Sequence, residues 1–164
     1  MKTRYGFVSN SSSSSFIIAL DKIPKSKEDV NKIFYKGCEK SFEDCVEDPI
    51  NTDILSKRLW NDIKKQKPIK SVKTIAKIIK SGYFIDCLEP ELDDFTIKSK
   101  KSFDWKKYQI LRDHCAESIA DVFLKINKKR FIYILHYEDS NKLEGHLEHG
   151  DTFYNVKHLR ISHH

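Results

Sequence analysis

The 164-residue chain contains only 5 glycines, and it lacks the glycine-rich loops that hold phosphate groups. Neither the P-loop pattern nor GxGxxG occurs, and the GxSxG pattern of serine hydrolases is absent as well. No apolar run approaches the roughly 20 residues that a membrane span requires. The apolar segment FIIAL near the N-terminus is also shorter than a signal-peptide core, which has about 7–15 residues. We therefore expect a cytoplasmic protein that does not contact the membrane.

Cysteine is scarce too, and the four cysteines are scattered as Cys38, Cys45, Cys87 and Cys115. No CxxC pair is present, so a zinc site built on cysteine is disfavoured. Without an export signal, disulfides are not expected either. The cysteines are best interpreted as buried, mildly apolar thiols.

The composition is that of a globular protein, with 39% hydrophobic and 12% aromatic residues. Its length fits one domain, residues 1–164, whose first 15 residues form a separate serine-rich segment. The net charge of +6 is compatible with a polyanionic partner. A basic patch is predicted at Lys64, Lys65, Lys67, Lys70, Lys73 and Lys77. Such a pattern is typical of a solvated helix face, with phosphate contact as the functional alternative.

Hydrophobic periodicity predicts four helices, which begin near Ser26, Thr52, Ser71 and Asp104. Gly37 and Gly82 are expected to end the first and the third. The fourth is the strongest, and its predicted inner stripe is Trp105, Tyr108, Leu111, Cys115, Ile119, Val122 and Phe123.

Short apolar runs predict the strands. Residues 83–88 form one candidate, and residues 130–137 form a continuous apolar run that is typical of a central strand covered on both faces. The tail, residues 152–161, alternates and is a further candidate. Helices separated by short strands indicate an α/β or α+β fold, as a single compact domain with a small mixed sheet and several packed helices.

The serine run, Ser11 to Ser15, lies between apolar segments that favour burial, so a flexible linker is the weakest interpretation. We expect Phe16, Ile18 and Leu20 to be buried and the chain to be ordered from Phe7 onward. Three interpretations stay open: a structural segment without activity, a signal that is processed or modified, and an anion site. For the anion site the candidates are Ser11, Ser12, Ser13 and Ser14, whose hydroxyls and backbone N–H groups are closely spaced.

The N-terminal sequence Gly6-Phe7-Val8-Ser9-Asn10, followed by serines and Phe16, resembles a signature of uncharacterised small bacteriophage and bacterial proteins. The C-terminal segments LEHGD, at 147–151, and HLRISHH, at 158–164, are similar to the end of one group of these proteins. The resemblance covers about a fifth of the chain, and it implies a phage or phage-associated origin, with the host cytoplasm as the location. It implies no activity.

Histidine is concentrated at the C-terminal end, where six of the seven histidines follow Leu135 among several carboxylates. Imidazole and carboxylate groups bind transition metals and also serve in acid–base catalysis. The catalytic candidates are His136, Asp139, His149 and Asp151, and the metal-ligand candidates are His149, His158 and His163. No HExxH motif supports them, so solvated loop histidines are the alternative interpretation.

Two functional hypotheses follow. The first is a small accessory protein that acts by binding, most readily to a host or phage protein and alternatively to nucleic acid. The second is a hydrolase or transferase, assisted by a divalent transition metal, that acts on a phosphorylated or nucleotide substrate. In the second hypothesis the N-terminal serines and the C-terminal histidines meet at one sheet edge.

Overall fold

The computed structural model describes residues 13–37, 50–82, 96–97, 102–149 and 151–163. In chain order the elements are β1 (Ser13–Leu20), α1 (Lys27–Tyr35), α2 (Thr52–Ile63), α3 (Val72–Ser81), β2 (Thr96–Ile97), β3 (Ser102–Phe103), α4 (Trp105–Ile126), β4 (Phe131–Glu138), α5 (Lys142–His149), a 3₁₀ turn (Asp151–Phe153) and β5 (Lys157–Ser162). None of the helices in these ranges combines the length and apolar content needed to cross a bilayer.

The main sheet has the order β4-β1-β5, and β1 pairs antiparallel with both neighbours. A short hairpin of β2 and β3 is antiparallel as well. The described pairings are therefore antiparallel, not mixed as the sequence suggested. Helices packed on an antiparallel sheet confirm the α+β alternative.

The N-terminal strand β1 is the central strand. All of its residues after Ser13 are buried, because apolar side chains occupy both of its faces. Among the described strands, the prediction that the apolar run of β4 lies at the centre is wrong: β4 is at one end of the order β4-β1-β5, and on its outer side the described residues form one bridge, from Ile69 to Ile132. Its second half alternates between buried and exposed positions, which leaves His136 and Glu138 exposed.

Two layers of helices cover the sheet. Phe16, Ile18 and Leu20 point toward α1, α2 and α5, and their burial confirms the prediction for these residues. Ile17 and Ala19 point the other way, toward α3 and α4. Ser14 and Ser15, which precede Phe16, continue this alternation, so Ser14 points toward the layer of α1, α2 and α5 and Ser15 toward the layer of α3 and α4.

The predicted helix boundaries agree with the structure to within about a residue. Ser26, Ser71 and Asp104 are N-caps, each accepting a hydrogen bond from a backbone N–H three residues on. For α2 the cap is Asn51, and Thr52 is the first helical residue. Helix α5 was not predicted, since Gly145 and Gly150 bracket only four residues of the sequence; Gly145 lies within the helix.

The predicted inner stripe of α4 is confirmed at Phe123 and wrong at Trp105 and Val122. The helix buries Ala116, Ala120 and Phe123, whereas Trp105 and Val122 are 68% and 56% exposed. Small residues let α4 approach α3 closely, and the larger apolar side chains then lie beside the contact instead of in it. Cys115 is half-buried. The other three cysteines and the predicted strand at 83–88 lie outside the described residues.

Candidate functional site

The end of β1 brings the serines to the C-terminal histidines. In register, Ser15 lies opposite His136 of β4 and Ile161 of β5. The backbone N–H of His163 donates to the carbonyl of Ser13, at 2.9 Å, which extends the strand pairing beyond Ser162. The antiparallel topology therefore joins the serines of β1 to two segments that each follow more than a hundred residues later in the chain.

Ser15 lies between two imidazoles on the face covered by α3. Its Oγ is 3.1 Å from Nδ1 of His136 and 2.8 Å from Nε2 of His163. The two rings are 5.5 Å apart in a T-shaped arrangement. Glu138, two residues after His136, places Oε1 3.6 Å from Nε2 of His136. We call Ser15, His136, Glu138 and His163 the serine–histidine cluster.

The hydrogen bonds assign the protons in this cluster. The carbonyl oxygen of Ser81 lies 3.2 Å from Nδ1 of His163, and a carbonyl only accepts, so this nitrogen carries a hydrogen. Nε2 of neutral His163 then accepts the hydroxyl proton of Ser15. Since a hydroxyl has one hydrogen, Ser15 must accept from Nδ1–H of His136. A second proton on His136 would face Glu138, whereas none of these hydrogen bonds brings a carboxylate to His163.

Ser14 points to the other layer and meets different partners. Its hydroxyl donates to Oε1 of Glu148, at 3.1 Å, and accepts from Nε of Arg160, at 3.2 Å. Ser14 and the Glu148 side chain are fully buried, and Nη2 of Arg160 lies 4.0 Å from the same carboxylate oxygen. A buried carboxylate beside Ser14 disfavours an added anion there. Of the other anion-site candidates, Ser11 and Ser12 lie outside the described residues and Ser13 is half-buried.

Of the histidine candidates, the structure brings His136 and His163 together and places His158 elsewhere. His158 and His163 are five residues apart in one extended segment, so their side chains point to opposite faces. His158 packs near Phe16 and Phe153, in the layer away from the serine–histidine cluster. Among the described residues, no three His, Cys, Asp or Glu side chains are grouped to hold a metal ion. The side chains of His149 and Asp151 lie outside the description, and Asp139 is exposed in the turn after β4.

The six lysines of the predicted basic patch are exposed along one stretch of the chain. Lys64, Lys65, Lys67 and Lys70 follow α2, and Lys73 and Lys77 continue one turn apart along α3; all six side chains are exposed. We call these six residues the lysine row. In the described part of the chain none of them pairs with a carboxylate, whereas Lys80 lies 3.3 Å from Asp113 and 3.7 Å from Glu117. The row ends one turn before Ser81, whose carbonyl contacts His163.

Helix α4 presents a second exposed feature. Val122 and Ile126 are exposed, and together with Ser118, Ile119, Phe123 and Leu159 they line a shallow apolar groove of about 250 Å³. Exposed apolar patches are typical of contact surfaces for another polypeptide. This feature is consistent with the predicted protein partner, which stays a prediction.

Sequence reasoning missed Ser15, Glu148 and Arg160. The sequence did contain a signal for the burial of Ser15. Side chains alternate along a strand, so Ser15 lies on the same face as the apolar Ile17, two residues later. The pairing of Ser14 with Glu148 and Arg160 has no local signal, since the contact joins residues on three separate elements.

Comparisons with models of protein families, with curated proteins and with solved structures return no match to this chain.

Proposed function

We propose that the protein acts by binding nucleic acid and that the lysine row contacts the phosphate backbone. The observation that carries this proposal is the row itself, six exposed lysines without a carboxylate partner among the described residues. Charges that are not neutralised within the protein remain available to displace the counterions of a polyanion. The net charge of +6 favours the same class of partner.

The spacing within the row suits a phosphate backbone. With a rise of about 1.5 Å per residue, Lys73 and Lys77 are separated by roughly 6 Å along the axis of α3. Phosphates of one DNA strand recur about every 3.4 Å along the duplex axis, so the two lysines fall nearly two nucleotide steps apart. Lys73 and Lys77 can therefore reach phosphates about two nucleotide steps apart on one strand without distortion of α3.

The chemistry of the row favours binding that does not depend on base sequence. Lysine ammonium groups are point charges, whereas bidentate recognition of guanine is typical of arginine forks. Among the described residues, the half-buried ring of Trp60 lies beside the row, with its centroid 6.0 Å from Nζ of Lys64. A ring engaged in this way offers little surface for base stacking. We therefore expect contacts with phosphate groups and little discrimination between sequences.

Salt dependence tests the proposal. Each neutralised phosphate of B-DNA contributes about 0.9 to the slope of log K against log salt concentration. The double substitution Lys73→Gln/Lys77→Gln should therefore weaken binding to a short fluorescent duplex and make the slope shallower by about 2. Fluorescence anisotropy over a series of salt concentrations measures both quantities.

The matched control is Lys32→Gln/Lys36→Gln. These exposed lysines are also four residues apart, but they lie at the end of α1 in the opposite layer of the fold. The control removes the same charge, so its slope should stay close to that of the unmodified protein. An equal loss of affinity in both variants would mean that binding depends only on the net charge of the protein and not on the lysine row. If the unmodified protein does not bind the duplex at low salt, the proposal is wrong.

A further inference from the structure

We propose that Ser15 is an activated nucleophile that attacks ester substrates, with His163 as its general base. This activity goes beyond nucleic-acid binding and rests on a different part of the molecule. A serine nucleophile requires a base within hydrogen-bond reach of its hydroxyl and a group that orients the base. The serine–histidine cluster contains both.

His163 has the geometry of a general base. Its Nε2 lies 2.8 Å from Oγ of Ser15, and the Ser81 carbonyl holds the hydrogen on Nδ1, which leaves the Nε2 lone pair directed at the hydroxyl. The carbonyl thus has the orienting role that a third residue has in serine–histidine catalysis. The backbone bond from His163 to Ser13 fixes the ring relative to β1.

His136 lies on the other side of the hydroxyl and is a positioning residue. Its Nδ1–H donates to Oγ of Ser15, and Glu138 lies on its Nε2 side. The donated hydrogen bond sets the rotamer of the serine so that its own hydrogen points to His163. A buried hydroxyl with both a donor and an acceptor in place has a single orientation, which is the preorganised state that catalysis needs.

A substrate reaches Ser15 from the side of His136. Ser15 is 4% exposed, whereas the side chain of His136 is 49% exposed and therefore borders solvent. The covering helix α3 ends at Ser81, beside His163, so within the described residues the helical layer stops at the cluster.

The reaction conserves atoms and charge. Oγ of Ser15 bonds to the carbonyl carbon or phosphorus of the ester, its proton moves to Nε2 of His163, and the bond to the leaving oxygen breaks. That oxygen takes the proton from His163. Water then bonds to the same carbon or phosphorus, His163 accepts its proton and returns it to Oγ as the bond to Ser15 breaks. The products are an alcohol and an acid.

Covalent labelling tests the nucleophile directly. The full-length protein is incubated with a fluorophosphonate probe, in which attack by Oγ displaces fluoride from phosphorus. We expect intact-mass analysis to find one adduct and peptide mapping to place it on Ser15. His163→Ala should slow labelling about a hundredfold or more, since general-base catalysis contributes at least that much.

Ser14→Ala is the matched control, because Ser14 is adjacent in β1 but bonds to Glu148 in the other layer. It should label at the rate of the unmodified protein, and Ser15→Ala should not label; thermal melts show that each variant is folded. Mapping the adduct on unmodified protein decides the question even where a variant fails to fold. An unlabelled protein, an adduct on another residue, or an unchanged rate in folded His163→Ala overturns the proposal.

Chromogenic substrates then assign the ester class. Turnover of p-nitrophenyl acetate in the unmodified protein but not in Ser15→Ala identifies acyl esters, and turnover of bis(p-nitrophenyl) phosphate identifies phosphodiesters. The lysine row has no part in labelling, so Lys73→Gln/Lys77→Gln should react with the probe normally. Failure of nucleic-acid binding and failure of the nucleophile are therefore separate results.

Discussion

Replacing Gly82 tests how closely α3 packs against the sheet. Gly82 follows the last residue of α3, and its backbone angles, φ −97° and ψ 171°, are accessible to any residue. An alanine Cβ at this position would overlap the Cγ2 methyl of Ile161 and would lie 2.6 Å from the backbone oxygen of Ser162. The carbonyl of Gly82 also accepts a hydrogen bond from Arg112, at 3.1 Å, which opposes movement of the chain. Gly82→Ala should therefore destabilise the protein through steric overlap alone.

The size of the expected loss of stability depends on which atoms must move to make room for the Cβ. Overpacking of a buried contact costs about 1–3 kcal/mol when side chains can adjust. Here one of the crowded atoms is a backbone oxygen of a sheet strand, so the loss should be near the upper end, about 3 kcal/mol. For a protein of this size, that corresponds to a decrease in Tm of roughly 6–12 °C.

Differential scanning calorimetry of Gly82→Ala and Gly145→Ala provides the comparison. At Gly145 the added Cβ would lie 2.8 Å from Oδ1 of Asp139, which is the end of an exposed side chain and can rotate away. Because Gly145 lies within α5, alanine should also gain helix propensity, by up to about 1 kcal/mol. The two identical substitutions should thus change Tm in opposite directions. A Gly82→Ala protein that melts within about 2 °C of the unmodified one would refute the packing argument.

Two further predictions concern the layer formed by α1, α2 and α5. Phe16→Ala should lower the free energy of unfolding, measured with urea, by about 3–5 kcal/mol, because Phe16 is 3% exposed and stacks on Phe153 with ring centroids 4.1 Å apart. The control Val122→Ala, at an exposed position, should change it by no more than about 0.5 kcal/mol. Similar losses in both variants would contradict the observed burial. Burial raises the pKa of Glu144 above 4.5, with Arg58 opposing the shift. Because the folded pKa is the higher one, its stabilising contribution is complete below pH 4.5 and is lost as pH rises through the folded pKa. The increase in Tm on acidification across that window should be smaller in Glu144→Gln than in the unmodified protein. The same increase in both proteins, measured at a series of pH values, would contradict the prediction.

The helices were predictable because their signals are local. Ser26, Ser71 and Asp104 each accept a hydrogen bond from an amide three residues away, so a capping residue before an apolar period specifies a helix start without tertiary information. Helix α5 was missed because its glycine carries no helical preference, and the burial of Leu147 in the core supplies the missing stability. For α4 the predicted period was right and Phe123 is buried as predicted, but contact with α3 also selects the small residues Ala116 and Ala120, which the prediction did not include.

The amino-acid sequence alone limited the fold to α/β or α+β, and it determined the starts of α1 to α4, the exposed lysines and the burial of the apolar residues after the serine run. These properties depend on the spacing of residues that are close neighbours in the chain. The tertiary structure decided that β1 is central and that Ser15 meets His136 and His163, because strand order and register are set by pairing between distant segments. A one-residue shift in that register would turn Ser15 to the opposite face, so no local pattern could specify the cluster.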